Sequence, residues 1–458
     1  MQLTNEYMEH QGFISLIPTL AVILLALYSK KTFESLLGGS IIGFILLSSF
    51  SFFADFTSSL LNVMQDPTIG WVILVCGLFG SLIHLLVKSG GANAFASYLL
   101  SYVKNRKSAL LVTWLLGLSI FIDDYLNALT VGTSMKKVTD KFKVPREMLA
   151  YVVDSTAAPI CVLIPLSTWA IYVSGLLESE GVVPVGEGLQ GYLQAIPFIA
   201  YGWVAVLVVP MVALNWIPPM GAMKKAEERA RTGVLIPPNS NAIALKIPES
   251  ESVDPKLMHF IWPILVLIGA TIFFDVDALK GVMTAVVFTI AMYAVQGVME
   301  VSKSVVGVFE GFKTMLYALA IVVMSFVLKD VNDQLGLTPY IIETVSPWMS
   351  REMLPLIAFI SLSLITFATG SFWGVYAISL PIIIPLAQEM DVHMWLAIGS
   401  VISAGAFGSH ACFYGDATVL SASATECNNM SHVMTQLPYA LLSGVVVAVI
   451  YLVLGMML

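Results

Sequence analysis

Apolar runs near the length of a membrane crossing recur from one end of the chain to the other, separated by short polar or charged stretches. Cut at these runs, the sequence predicts spans near 13–28, 36–53, 69–87, 149–177, 195–217, 259–275, 278–298, 314–329, 395–425 and 436–456. About 20 apolar residues in a helix cross the roughly 30 Å hydrocarbon core of a bilayer. Two further apolar stretches, 108–135 and 353–388, carry a polar cluster near the middle. The first is Asp123-Asp124-Tyr125-Leu126-Asn127 and the second Thr369-Gly370-Ser371-Phe372-Trp373-Gly374. Each reads as a re-entrant hairpin with the cluster at its tip. Two of the spans are interrupted by Pro and Gly, in corresponding places of the two halves: DSTAAPICVLIPLSTW (Asp154–Trp169) and GAFGSHACFYGDATVLS (Gly405–Ser421). A helix break inside a membrane is tolerated only where neighbours or a cavity satisfy the freed backbone groups. Paired breaks therefore point to the central binding site of a secondary transporter.

Charge placement turns these elements into a topology. A single crossing at 108–135 would put the basic loops Lys88–Lys107 and Lys136–Arg146 on opposite faces, against the tendency of Lys and Arg to stay cytoplasmic. With both hairpins re-entrant, Lys280 and Arg351 are external, Lys329 lies at a boundary, and the remaining 19 of 22 Lys and Arg are cytoplasmic. Each half then holds five crossings and one hairpin. Five is odd, so the second half is inverted relative to the first. The expected organisation is a first membrane repeat at 1–217, a cytoplasmic linker at 218–258 and a second, inverted repeat at 259–458, with both termini external. Within the linker, KKAEERAR reads as a short charged helix and IPPNSNAIALKIPES as a Pro-rich connection.

Composition agrees with an all-α integral membrane protein. Of the 458 residues, 58% are hydrophobic and 11% charged, and the mean hydropathy is +0.86. A soluble domain of this length is excluded. The N-terminal MQLTNEYMEH lacks the basic region of a signal peptide and leads into Phe13–Tyr28, which reads as a retained span. Cys76, Cys161, Cys412 and Cys427 show no metal-ligand spacing and read as small buried residues. There is no Walker A pattern for ATP-driven transport. The expected partner on this ground is a lipid bilayer, with no nucleic acid and no cofactor.

Only four acids fall in the interior of membrane segments: Asp123, Asp124, Asp154 and Asp416. An ionisable group at that depth costs several kcal/mol and is a functional candidate by default. At about 1.5 Å of rise per residue, Asp154 and Asp416 sit at similar depth in the cytoplasmic half, near the first hairpin tip. Carboxylates beside hydroxyl and carbonyl oxygens at a helix break supply what a hard cation needs. Asn127, Thr156, Ser167, Ser371 and Thr418 are the neutral oxygen donors of this set, and His410 is a candidate proton relay or ligand. Trp373, Phe413 and Tyr414 are candidates to line a pocket for an organic substrate. Each also has a structural reading. The aspartates can bond unwound backbone or cap a hairpin helix, His410 and His84 can be buried packing residues, and the aromatic residues can be ordinary core.

The quoted motifs resemble those of the NhaC-type sodium/proton antiporters. Asp154-Ser155-Thr156-Ala157-Ala158-Pro159, continued by Ile164-Pro165-Leu166-Ser167-Thr168-Trp169, is similar to that family's first-half motif. Gly415-Asp416-Ala417-Thr418-Val419-Leu420-Ser421 and Thr435-Gln436-Leu437-Pro438-Tyr439-Ala440 resemble its second, and Asp124-Tyr125-x-Asn127 fits its first hairpin. The resemblance implies the ion-transporter superfamily fold and cation/proton exchange, with Asp154, Thr156, Asp416 and Thr418 at the Na⁺ path. Related folds suggest a homodimer by analogy. The run His410-Ala411-Cys412-Phe413-Tyr414 is more aromatic than its counterpart in the antiporters. The family also includes members resembling malate/lactate exchangers and amino-acid carriers. Two transport readings follow: Na⁺/H⁺ antiport, and Na⁺- or H⁺-coupled carriage of an amino acid or small carboxylate. An intramembrane enzyme acting on a pyrophosphate would need a second Asp-rich run, which is absent.

Overall fold

The computed structural model describes residues 10–29, 31–121, 124–165, 167–238, 240, 256–275, 277–348, 350–370 and 372–458. Among them every regular element is a helix. That is the solution an apolar chain is driven to, because a helix satisfies its backbone within one segment.

The chain opens with α1 (Ile17–Ser29) and α2 (Thr32–Ser48), then amphipathic α3 (Phe52–Gln65), long α4 (Pro67–Lys88) and short α5 (Gly91–Tyr102). A hairpin of α6 (Arg106–Ser119) and α7 (Asp124–Lys141) follows. Next come the fragments α8 (Arg146–Asp154), α9 (Ala158–Cys161) and α10 (Thr168–Ser179), then α11 (Gly188–Ala195) and α12 (Ala200–Ala213). After α13 (Gly221–Arg231), in the stretch read from the sequence as a linker, a second series of helices follows. It comprises α14 (Met258–Phe273), α15 (Ala278–Val295), amphipathic α16 (Val301–Thr314), α17 (Leu316–Gln334) and short α18 (Leu337–Val345). A second hairpin, α19 (Leu354–Thr369) and α20 (Phe372–Glu389), leads to the broken pair α21 (Met394–Ala411) and α22 (Asp416–Ala424) and to α23 (Asn429–Met457).

Among the described residues four helices are long and apolar enough to cross a membrane, at Thr32–Gln65, Ile69–Lys88, Ala278–Val295 and Asn429–Met457. Three bent pairs raise the number to seven: Gly188–Phe198 with Ala200–Ala213, Val301–Thr314 with Leu319–Gln334, and Met394–Ala411 with Asp416–Ala424. Met258–Phe273 and both arms of the second hairpin are apolar but shorter.

The apolar pattern misses α3, α5, α11, α16 and α18. Each is short or keeps a polar face, so none makes a run of crossing length. The predicted loop between Lys88 and Lys107 holds α5, whose Phe95 stacks on Phe260 of α14 with ring centroids 4.4 Å apart. Helix α16 lies along α4, where Ser81 Oγ donates to the Val308 carbonyl at 2.7 Å.

Side-chain contacts show which end of the molecule each hairpin opens toward. At the start of α6, Arg106 pairs with Glu227 of α13. Beyond the end of α7, Arg146 pairs with Asp140 at 2.8 Å and the adjacent Glu147 holds Arg229 of α13 at 2.7 Å. Both arms of the first hairpin therefore end at the linker. The second hairpin closes elsewhere. Arg351 before α19 lies 3.6 Å from Asp391 after α20 and 3.5 Å from the Leu458 carbonyl at the end of α23. The other end of α23 meets the linker, where the Asn428 backbone N–H donates to Ser240 Oγ at 3.0 Å. At 29 residues α23 is about 43 Å long, so the two hairpins open toward opposite ends of one membrane-length helix.

Two large apolar cores flank the middle of the molecule, and each draws on both halves. One joins Val75, Tyr125, Leu149, Val327 and Val419. The other joins Trp169, Tyr201, Phe359, Tyr376 and Ile402.

Candidate membrane-embedded carboxylate site

Two helix breaks meet between these cores. The first follows Asp154. Helix α8 ends in a tightening turn, with the N–H groups of Thr156 and Ala157 bonded to the carbonyls of Val153 and Asp154 at 3.1 Å each. Pro159, in the first turn of α9, has no N–H to give and so suits the start of a new helix. The second break is Cys412–Gly415. Cys412 and Gly415 are extended, with ψ of 144° and 140°, and a Cβ at Gly415 would sit 2.7 Å from the Ser409 carbonyl. Only glycine lets the chain pass that close. Helix α22 then starts at Asp416, placing its carboxylate at a helix N-terminus, where the peptide dipoles favour negative charge.

Asp154 is fully buried, yet all four of its side-chain partners come from the second half of the chain. Its Oδ2 accepts from Thr418 Oγ1 at 3.0 Å and from Gln436 Nε2 at 2.5 Å, and His432 Nε2 lies 3.2 Å away. Its Oδ1 accepts from Ser421 Oγ at 3.5 Å. Gln436 Nε2 also donates to the His410 carbonyl at 2.7 Å. That sets the orientation of the amide, since both partners are acceptors. Three buried polar atoms here have no hydrogen-bond partner among the described residues: Gln436 Oε1, His432 Nδ1 and Ser409 Oγ. Asn127 Oδ1 is a fourth at the neighbouring hairpin tip. Unmet acceptor oxygens beside a buried carboxylate are groups that a bound cation or water would satisfy.

The first hairpin tip closes the arrangement. Tyr125, in the first turn of α7, donates its hydroxyl to Asp416 Oδ2, and Asp416 Oδ1 accepts from the Ala417 N–H at 2.8 Å. Asn127 Nδ2 faces the carbonyls of Gly117, Ile120 and Thr156 at 2.7, 2.8 and 2.7 Å. It pins the end of α6 to the first break. Asp124 is buried at the first residue of α7. His410, the last polar residue of α21, sits with Nδ1 2.6 Å from the Tyr201 hydroxyl and Nε2 3.1 Å from Ser155 Oγ.

Not every predicted donor reaches the carboxylates. The Thr156 hydroxyl donates back to the Val152 carbonyl at 2.9 Å, leaving its lone pairs as its only offer to an ion. Ser167 caps α10 by accepting from the Ala170 N–H at 3.1 Å and donates to the Cys161 carbonyl at 2.6 Å. It is a structural residue of the first broken segment. Phe413 packs edge-on against Phe367, and the Tyr414 hydroxyl donates to the Ala368 carbonyl at 2.8 Å. These two aromatic residues lock the second break to the second hairpin. Trp373 falls in the first turn of α20; Asp123 and Ser371 lie outside the described residues. All four cysteines are buried thiols. Cys161 and Cys412 each donate a thiol to a carbonyl beside a hairpin tip, that of Phe121 at 3.1 Å and that of Phe367 at 3.2 Å.

Single-residue reading of the sequence passes over His432. It falls in a polar stretch that looks like the loop before the last span, although α23 begins at Asn429. The signal was a spacing: His432, Thr435, Gln436 and Tyr439 follow the i, i+3, i+4, i+7 rule and form one helix face. All four are buried.

Among the described residues no group of three His, Cys, Asp or Glu converges as metal ligands. A hard monovalent cation carried as cargo calls instead for the mixed carboxylate, hydroxyl and amide oxygens found here.

An all-helical, apolar chain whose buried carboxylates lie at two facing helix breaks is a multi-pass membrane protein with a transport-type site. The chain belongs to the Na⁺/H⁺ antiporter family, whose model matches residues 187–456, in agreement with the resemblance carried by its motifs. The matched region holds Asp416, Thr418, His432 and Gln436, while Asp154 lies before it. An uncharacterized protein of Haemophilus influenzae is 29% identical over 483 positions, covering 96% of this chain and 90% of that protein. The malate-2H⁺/Na⁺-lactate antiporter of Bacillus subtilis is 25% identical over 122 positions, covering 27% of this chain and 26% of that one. Among solved structures, the YdaH transporter of Alcanivorax borkumensis superposes with a TM-score of 0.41 and 12% identity, over 95% of this chain and 98% of that one.

Proposed function

We propose that this protein is a secondary active transporter of the cytoplasmic membrane that exchanges cytoplasmic Na⁺ for external protons by alternating access. One observation carries the reading. The buried carboxylate of Asp154 ends a helix in one half of the chain and is held entirely by Thr418, Ser421, His432 and Gln436 of the other. A site built across two halves changes when they move relative to one another, which is what coupling ion binding to alternating access requires. Na⁺ would take oxygens of Asp154, Thr418 and Gln436, with lone pairs of Thr156 close by. Asp416, tied to Tyr125, supplies a second carboxylate. A proton and a cation compete for the same carboxylate charge, which gives exchange without a separate coupling device.

The hairpins opening toward opposite ends of α23 support the expected inverted repeats at 1–217 and 259–458, with 218–258 between them on the cytoplasmic side. A second reading is Na⁺-coupled exchange of a small carboxylate, as in the malate/lactate protein matched over part of the chain. It draws on Lys329, which packs against Gly374 at the second hairpin tip with its ammonium on Asp333 at 2.6 Å, a pairing that an anionic substrate would have to displace.

The test uses purified protein in liposomes loaded with a pH-sensitive dye, with Na⁺ added outside and then a panel of carboxylates and amino acids. Proton movement driven by Na⁺ alone is the expected result. Movement only when an organic anion accompanies Na⁺ would replace antiport by the second reading.

A further inference from the structure

The linker end of the molecule carries a concentration of buried and half-buried ion pairs that the transport site does not use. Arg229 of α13 forks onto Glu147 at the start of α8, with its two terminal nitrogens 2.9 and 2.7 Å from the two carboxylate oxygens. The Glu147 side chain is 2% exposed and that of Arg229 23%. Arg106 of α6 pairs with Glu227 of α13. Arg146 reaches Asp140 of α7 and the Thr425 carbonyl at 3.2 Å, and Lys136 of α7 reaches Glu426 at 2.7 Å. The chain leaving α13 adds to this: the Leu235 carbonyl accepts from the Arg146 N–H at 3.1 Å.

These contacts fasten α6, α7, α8 and the turn after α22 to one another or to α13 at this end. Glu147 lies two turns, about 10 Å, before Asp154 on α8, and Glu426 lies in the turn just beyond the end of α22, the helix that Asp416 begins. At the opposite end the corresponding pair, Arg351 and Asp391, is 3.6 Å apart, with side chains 49% and 92% exposed. Buried ion pairs make poor permanent glue, because their desolvation roughly cancels their attraction compared with apolar packing. They suit a contact that water can replace when it opens. Helix α13 is also the segment through which one half of the chain continues into the other.

Resting on the transport reading above, we infer that α13 and the pairs Arg229–Glu147, Arg106–Glu227 and Lys136–Glu426 form a gate. It seals the Asp154 site from the linker face and must release for the site to open there.

Two measurements on the full-length protein in liposomes test it. First, Arg229→Cys with Glu147→Cys is joined by a bifunctional thiol reagent containing a reducible link, with wild-type protein and its buried cysteines as the treated control. Cross-linking is expected to abolish Na⁺-driven proton movement and the reductant to restore it in the same molecules. A cross-linked protein that transports at the reduced rate would make the contact a static strap. Second, Ser421→Cys reports access to the site through its alkylation from the linker face. Adding Arg229→Glu is expected to speed alkylation by about tenfold, the rise available when an open state of a few per cent becomes dominant. Adding Glu147→Arg as well should reverse it. An alkylation rate unmoved by Arg229→Glu would sink the gate. This arm needs no transport, so a wild-type protein that moves no protons would remove the antiport reading while the gate is still decided.

Discussion

At the residue scale the central fact is how many donors one buried carboxylate holds. Asp154 Oδ2 has three partners within 3.2 Å, and hydrogen bonds to a charged group contribute about 1.5–3 kcal/mol each. Asp154→Asn and Asp416→Asn are each expected to abolish Na⁺-driven proton movement while the protein still inserts and purifies normally. Full activity in either variant would take that residue out of the mechanism. Gln436→Ala removes one donor to Asp154 and frees the His410 carbonyl. At about 1.4 kcal/mol per tenfold, the Na⁺ concentration for half-maximal exchange should rise by roughly ten- to a hundredfold. An unchanged half-maximal concentration would mean that the amide only supports the fold. The acids at this site were legible in the sequence because membrane-embedded charge is rare. His432 was not, and Gln436 showed only as part of a family motif, because their significance lies in sharing one face of α23 with each other and facing an aspartate 278 and 282 positions earlier.

At the element scale the helix breaks are shaped by single residues. Gly370 ends α19 in the left-handed region, with φ of 70°, and a Cβ there would meet the Tyr414 ring at 2.8 Å. A β-branched residue would carry about 1–3 kcal/mol of backbone strain and push on the second break as well. Gly370→Val should therefore lower the thermal midpoint and slow transport together, and a variant with wild-type values of both would show the hairpin tip to be pliable. Both hairpins were legible as apolar stretches with polar centres; the second tip falls where the chain breaks after Thr369, whereas the first was placed too late, since Asp124–Asn127 already form the first turn of α7. The shorter helices were not. An amphipathic segment such as α16 resembles a loop to any rule that looks for a run of crossing length, and it becomes a helix because α4 offers its apolar face a partner.

For the whole molecule, the charge network at the linker and the loose pair at Arg351 define two ends, and basic residues crowd the first. Lys143 is exposed in the turn after α7, and Asp391 is exposed after α20. Lys143→Cys should be labelled by an impermeant thiol reagent only from the cytoplasmic side, and Asp391→Cys only from outside. Labelling of both from one side would overturn the opposite orientation of the hairpins in the membrane.

The sequence alone determined what kind of molecule this is. Apolar runs of crossing length require a bilayer, Pro and Gly inside them require a cavity or close neighbours, and acids in such segments are candidates for function because charge is costly there. These are properties of a chain in a low-dielectric solvent and need no knowledge of its partners. The tertiary structure alone decided which groups work together. Asp154 is served by residues more than 260 positions away, Ser167 is occupied as a helix cap, and α13 lies across the ends of α6, α8 and α23. Such pairings depend on how separate helices pack. Packing is set by the shape of every face at once, so local patterns could identify the helix breaks but not what each break would meet.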